Sequence, residues 1–291
     1  MGEVEATVII PSFERPERLR ACLASLLDDP DDAFEVLVVD DGSRAPLAPI
    51  CAEFGARVRC LRQANQGPAA ARNRGAEHAR GGFLAFTDDD CQPHPGWVRE
   101  LRRAHGGDDG VLVGGRVQNG LPKNPFSSAS QALCDYLYDY FEASEGRADF
   151  FTSNNVGASK AGFLRAGGFD ESFPLAAAED RDFGLRWRGS GGRLVFAPDA
   201  VVTHGHEMGL GGYWRQHRNY GRGARQLHLR MDARGDPRPR REPLSFYREL
   251  VARPVRRRGL GGLPQSALLA LSQLAMVRGY AREVARERGR S

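Results

Sequence analysis

Over its first ninety residues the chain switches repeatedly between two hydrophobic periods, and that alternation admits few folds. The run "ATVII" (6–10) is apolar without a break and ends at Pro11, as a strand buried on both faces would. "PERLRACLASLL" (16–27) follows, with Leu19, Cys22, Leu23, Leu26 and Leu27 at helical spacing. A second buried strand, "EVLVVDDGS" (35–43), runs straight into two aspartates and a Gly-Ser turn. A helix is expected around "PLAPICAEFG", a short strand at 57–63, a helix at 68–81 and a further strand at "GFLAF". Strands that alternate with helices pair in parallel through right-handed crossovers, with helices on both sheet faces. The expected fold class is therefore α/β with a mainly parallel central sheet, whose ligands bind outside the carboxyl ends of the strands.

Two acidic clusters fall at such ends. Asp40 and Asp41 close one strand and Asp88, Asp89 and Asp90 close another, so both should open onto one crevice. One aspartate is enough for an Asx turn or a helix cap, which leaves "VVDDGS" open to that plain reading. Three consecutive carboxylates repel one another and need a counter-charge, which a divalent cation supplies. The candidate donors are oxygens with one imidazole downstream, a set that suits Mg²⁺ or Mn²⁺ bridging carboxylates to a diphosphate. Rival metal–phosphate patterns fit poorly. "DDDCQ" has Gln92 where a haloacid-dehalogenase-like phosphatase needs Thr or Val, and "PSFERPER" is not the glycine-rich loop of a sugar nucleotidyltransferase. Neither a G-x-x-x-x-G-K-[ST] loop nor a G-x-G-x-x-G fingerprint opens a first helix.

At 291 residues and 41% hydrophobic content, the chain can bury one large core or two modest ones. Its five cysteines (Cys22, Cys51, Cys60, Cys91, Cys134) are scattered without a C-x-x-C pair, which suits a reducing cytoplasm rather than a disulfide framework or zinc site. The N-terminal "MGEVEATVIIPSFERPERLR" does not read as a signal peptide. The longest apolar stretch, 267–277, is eleven residues. A spanning helix needs roughly 20, so a soluble or peripheral cytoplasmic protein is expected. Charge is unevenly placed: residues 232–291 hold fourteen arginines against six carboxylates, while the rest carries 27 basic and 31 acidic groups. This speaks against nucleic acid as a partner of the body and leaves an anionic partner for the tail.

The second half continues with a strand at "VLVGGRV" and an aromatic helix at 131–144, whose Tyr and Phe side chains are expected in core packing. Glu179 and Asp180 open a further helix, where acids also complement the helix dipole.

In chain order, "VIIPSFERPERLRACLASLL", "EVLVVDDGS", "NQGPAAARNRG", "GGFLAFTDDDCQPHPGWV", "AGGFDESF", "AEDRDFGLRWRGSGGRLVFAPDAVVTH" and "HRNYGRGA" resemble the family 2 glycosyltransferases over about residues 5–225. The resemblance implies a GT-A type nucleotide-sugar fold over 1–225, with a nucleotide-binding half (1–115) and an acceptor half (116–225), followed by a basic helical extension (226–291). It implies a metal-dependent, inverting enzyme that moves a sugar from a nucleoside-diphosphate donor, UDP-sugar first, to a glycan or lipid-linked acceptor in polysaccharide or glycoconjugate assembly. Pro11, Phe13 and Glu14 would line the base pocket, with Asp41 and Asp40 near the base or ribose. Arg72 would lie near the phosphates. Asp90 would bind the metal (Mn²⁺ or Mg²⁺), Asp88 would help through the ribose or a metal-bound water, and Asp89 would stand beside them. Asp180 would be the catalytic base, Glu179 would orient it or touch the acceptor, and His204 would reach the metal or diphosphate. One metal cluster and one separate carboxylate are the minimal set for single displacement with inversion. A non-catalytic nucleotide-sugar binder and a sugar nucleotidyltransferase remain as alternatives. In the extension, a polar linker, "MDARGDPRPRREP", precedes two helical stretches. These either pack on the catalytic domain or a second subunit, or make a peripheral membrane contact through the basic tail.

Overall fold

The computed structural model describes residues 4–30, 33–145, 150–173, 177–237 and 242–289, with the side chains of 142–145 outside that set. In chain order the elements are β1 (Ala6–Ser12), α1 (Pro16–Leu27), β2 (Phe34–Asp40), α2 (Ala48–Ala52), β3 (Val58–Arg62), α3 (Pro68–His78) and β4 (Phe83–Phe86). There follow β5 (Cys91–Pro93), α4 (Trp97–His105), β6 (Val111–Asn119), α5 (Pro125–Glu145), β7 (Val156–Ser159), α6 (Lys160–Arg165) and α7 (Glu179–Gly189). The chain ends with β8 (Arg193–His204), α8 (Leu210–Arg234), α9 (Leu244–Arg258), a 3₁₀ turn (Gly259–Gly262) and α10 (Leu263–Arg288). Two compact units result: Met1–Gly120 with Glu145–Gly205, and Leu121–Ser144 with His206–Ser291. The boundary expected at 225/226 falls inside α8, and 121–144 group with the C-terminal helices.

The first unit holds one eight-stranded sheet in the order β3-β2-β1-β4-β7-β6-β8-β5. β1 to β4 are parallel, β7 runs antiparallel to both its neighbours, β6 and β8 are parallel, and β5 is an antiparallel edge. β1 sits between β2 and β4, so the carboxyl ends of three adjacent strands lie side by side. β1 and β2 are buried at every position. α1 turns Leu19, Cys22, Leu23 and Leu26 onto the sheet as its spacing requires. Each such side chain contributes about 1.5–3 kcal/mol relative to exposure.

Two local features shape the crevice. β1 extends two residues beyond the apolar run, through Pro11. β4 stops at Phe86, opposite Ile9, so at Pro11 only the β2 side is still paired, and the missing N–H does not interrupt a central ladder. β8 is interrupted: Gly115 pairs with Ala197 but Arg116 with Val201, and the intervening segment contains Pro198, which has no N–H to donate. Past this bulge β8 continues to His204, which pairs with Cys91 directly after the three aspartates.

The second unit is helical. Tyr136 of α5 packs with Phe246 and Leu250 of α9 and Leu269 of α10, and its hydroxyl donates to the Phe246 carbonyl at 2.9 Å. Its ring is therefore core packing, as expected for this helix. α8 and α10 approach so closely that a methyl on Gly221 would overlap the Met276 carbonyl, and one on Gly279 the Arg218 carbonyl. The linker expected at 231–243 is helical through Arg234, and its residues 238–241 lie outside the described set. One correction concerns membrane spans. No unbroken apolar run is long enough, yet the helical stretch Leu244–Arg288 contains an 18-residue window long and apolar enough to cross a membrane, 28% of it buried. Gly, Ser and Gln interrupt the run of apolar side chains without adding charge.

Candidate active site

The crevice begins in the loop after β1. Glu14 holds a left-handed backbone at φ 56°; its N–H donates to Ser43 Oγ (3.0 Å), and its carboxylate accepts from the Arg44 N–H (2.9 Å). Phe13 beside it is exposed, while Pro11 is buried within β1. Asp40 and Asp41 form the adjoining wall, both buried. Asp40 accepts from the N–H groups of Ser43 (2.9 Å) and Leu47 (3.2 Å) and from Arg62 (3.2 Å). Asp41 accepts from Gln63 Nε2 (2.9 Å) and from the N–H groups of Gln66 (2.9 Å) and Gly67 (2.8 Å). Their carboxylates thus fix the loops around the pocket, and Asp41 holds the entry to α3.

The three aspartates after β4 have counter-charges that the sequence did not disclose. Asp89 is buried, accepts from Ser12 Oγ at 2.7 Å and pairs with Arg15 at 3.0 Å. Burial pushes its carboxyl up to about 6 against the pull of Arg15 and the Ser12 hydroxyl. Asp90 meets Arg15 (3.4 Å), Arg18 (3.2 Å) and His204 Nε2 (3.3 Å). Burial works against the charged imidazole, but the Asp90 hydrogen bond and charge prevail, so His204 lies above its ordinary value. Asp88, more open, accepts from Arg72 at 2.5 Å. Sequence reasoning missed Arg15 and Arg18. Their only signal was position: Arg15 in the loop after β1 and Arg18 in the first turn of α1 follow a strand that neighbours β4.

Arg72, buried in α3, joins this cluster to the second acidic pair. Its guanidinium bonds Asp88 and lies 3.7 Å from Glu179, with the Phe169 ring 5.6 Å away. Burial lowers its basicity, but Asp88 and Glu179 more than restore it. Among the described residues its buried Nε and Nη1 donate no hydrogen bond. Asn73, next in α3, clasps the loop before α7 through the Phe169 N–H and carbonyl and Glu171.

α7 opens from Ala178, at φ 76°. Among the described residues, Glu14 and Ala178 are the two non-glycines with positive φ, and each lies beside a cluster just described. Strain of this kind costs about 1–3 kcal/mol and concentrates at functional sites. Glu179 is buried and its Oε2 has no hydrogen-bond partner among the described residues. Burial and the neighbouring Asp180 charge push its carboxyl up to about 7. Asp180 is half-buried, accepts from the Arg181 N–H at 2.8 Å and is likewise raised by burial. Asp182 is fully buried and bound to Arg186 Nε at 2.6 Å, while Arg186 also donates to the Ala166 and Gly168 carbonyls. It braces the helix. The structure therefore brings Asp88, Arg72, Glu179 and Asp180 into one line and Asp89, Asp90 and His204 into another, while Asp40, Asp41 and Glu14 serve the pocket wall.

A parallel half-sheet continued by antiparallel strands, with acidic residues at the strand ends, is an α/β fold of the GT-A type. Residues 7–167 match the model of glycosyl transferase family 2, and the chain belongs to that family. It is 30% identical over 208 residues to the glycosyltransferase AglE of Haloferax volcanii, covering 68% of this chain and 66% of that one. It is also 29% identical over 239 residues to the pre-mycofactocin glycosyltransferase of Mycobacterium tuberculosis, covering 78% and 48%. The chain thus spans between about a fifth and two thirds of the length of such relatives, 22% in the case of hyaluronan synthase of Pasteurella multocida. Among solved structures, the mannosyltransferase PcManGT from Pyrobaculum calidifontis, in complex with GDP-Man and Mn²⁺, has a TM-score of 0.63 at 18% identity and covers 98% of this chain and 79% of its own. GalNAc-T7 with UDP, GalNAc and Mn²⁺ has a TM-score of 0.58 at 17% identity, covering 76% and 47%. At such identities the likeness is one of fold.

Proposed function

We propose that the chain is a metal-dependent, inverting glycosyltransferase acting from a nucleoside-diphosphate sugar, with UDP-sugars the first donors to test and GDP-sugars beside them. The acceptor is a hydroxyl of a glycan or lipid-linked saccharide. The observation that carries this reading is Arg72, one buried guanidinium between Asp88 on the triplet and Glu179 beside Asp180. A site for displacing a diphosphate needs positive charge where the leaving group departs and a base on the far side of the reacting carbon.

The residues fit a cation. Asp90 oxygen and His204 nitrogen lie 3.3 Å apart, with the partly exposed Asp88 in the same triplet. A mixed oxygen and imidazole set suits Mn²⁺ better than Mg²⁺. The chemistry such an ion supplies when bound is neutralisation of the departing diphosphate. Arg72, whose Nη1 faces Glu179 at 3.7 Å and whose buried Nε donates no hydrogen bond among the described residues, adds positive charge for the same group. Asp180 takes the acceptor hydroxyl proton as the oxygen attacks the anomeric carbon. The carbon–oxygen bond to the diphosphate breaks on the opposite face, which inverts the centre. Glu179, held near neutrality, keeps a second full charge from being fixed beside that base. Pro11, Phe13 and Glu14, held by the Asp40 and Asp41 loops, receive the nucleobase and ribose.

The test is a thermal-shift panel of UDP, GDP, dTDP and CMP sugars with and without Mn²⁺. A donor at about 100 times its dissociation constant adds roughly 2.7 kcal/mol to stability, so a true donor stands out. Release of pyrophosphate from a nucleoside triphosphate, with no shift by any nucleotide sugar, would instead indicate nucleotidyl transfer.

A further inference from the structure

α10 is built inside out. The side turned inward carries Ser266, Ser272, Ala275, Gly279 and Glu283, with Leu269 buried and Leu268 packed on Ala129, Met208 and Tyr213, while Leu263, Leu274 and Val277 stand exposed. A helix that met only water and its own unit would do the reverse. Small residues inside let the α8 backbone approach, at Gly221 and Gly279, and three large apolar ones are left outside, an arrangement seen in helices that face lipid.

Charge is sorted in the same way. Glu283 and Glu287 pair with Arg222 (2.9 Å) and Arg225 (2.5 Å) of α8. The exposed apolar stripe spans about 21 Å from Leu263 to Val277 at the helical rise. It continues into exposed Arg278, Arg282 and Arg286, of which Arg286 stands 3.7 Å from Glu283. At its other end stand exposed Leu260 and the arginines 256–258, of which Arg256 pairs with Glu249.

We propose that this face lies in the surface of an anionic lipid bilayer, with the outer half of α10 among the upper acyl chains and the arginines at both ends on headgroup phosphates. Two other occupants fit less well. A second copy joined by a two-fold axis through this face would set arginine-bearing ends against each other whether the helices ran parallel or antiparallel. A spanning α10 would draw in its partner α8, which carries Arg215, Arg218, Arg222 and Arg225. The contact is separate from the chemistry of the carboxylate crevice and is measured without turnover.

The experiment is co-sedimentation of the full chain with vesicles of phosphatidylcholine alone or mixed with phosphatidylglycerol. Binding is expected on the mixed vesicles and to weaken with salt. Replacing Arg256, Arg257 and Arg258 by Gln should cost about fivefold per arginine. Leu274→Glu with Val277→Glu should cost roughly tenfold or more, and Leu274→Gln with Val277→Thr serves if that pair melts early. Both sets should keep the parent melting temperature, since these side chains are exposed. Equal binding to neutral vesicles, or unchanged binding by the variants, overturns the proposal. So does a dimer by light scattering that the Leu274 and Val277 changes abolish, or bound protein that resists alkaline extraction, which would mean a spanning helix.

Discussion

Glu179→Gln should make the protein more stable at neutral pH and a poorer enzyme. In the fold Glu179 is 5% exposed, its Oε2 is without a hydrogen bond among the described residues, and Asp180 adds a like charge. Arg72, 3.7 Å away, and a backbone hydrogen bond oppose these effects without overcoming them. The carboxyl is pushed from its ordinary 4.5 up to about 7. A raised acid binds its proton more firmly when folded than when unfolded. The stability it contributes is complete below about pH 4.5 and is lost as pH rises through about 7. The loss is on the order of 3 kcal/mol. Asp180, also raised by burial, adds in the same direction. Glutamine keeps the shape and cannot ionise, so the variant should show a flatter melting temperature between about pH 5 and 8 and melt above the parent at the alkaline end. Transfer should fall nonetheless, a trade of stability against function. The assay is a melting curve across that range without nucleotide, beside the transfer rate. A variant that melts below the parent by the same margin at both ends of the range would show Glu179 ionised and held by Arg72, and the burial reasoning would fail.

Asp180→Asn should lower transfer about 10²–10⁴-fold while leaving the donor dissociation constant unchanged; a folded variant with near-normal transfer would remove the base assignment. Asp182 would not then be the substitute, because Arg186 sequesters it. Asp90→Asn should weaken both nucleotide-sugar affinity and turnover, and a chelator should mimic it; full activity in excess EDTA would end the metal reading. Asp41→Ala strips the acceptor from three donors, Gln63, Gln66 and Gly67. It should cost about 2–4 kcal/mol in urea denaturation and loosen donor binding, and an unchanged midpoint would contradict the clamp.

The first half of the fold was legible because its signals are local. α1 begins and ends where "PERLRACLASLL" does, and β2 and β4 are buried runs stopped by aspartates. The end of β8 at His204 was legible, but its run back across the bulge was not, since a stretch carrying Pro198 and Asp199 reads as a loop. β7, four residues long, has too little pattern to separate from its surroundings. In the site, the acidic groups were visible because adjacent carboxylates are conspicuous in any sequence. Their partners were not: Arg15 meets Asp89 and Arg72 meets Glu179 only after the sheet order has set the strand ends together. The difference between Asp180 and Asp182 was likewise invisible in "EDRD", where about half a turn of helix leaves one half-buried and the other fully buried.

The inverted α10 separates two demands that most helices must meet with the same residues. Cohesion with α8 rests on the inner row, where even one added carbon at Gly279 has no room. The outer row supplies none of that cohesion, so its residues can change without a cost in folding, within about 0.5 kcal/mol each. On the bilayer contact proposed above, drift or engineering on that row would change how firmly the molecule holds to lipid, while leaving the scaffold intact. A version for concentrated solution work could carry Lys or Glu at Leu260, Leu263, Leu274 and Val277 and keep every contact that holds the helix in place.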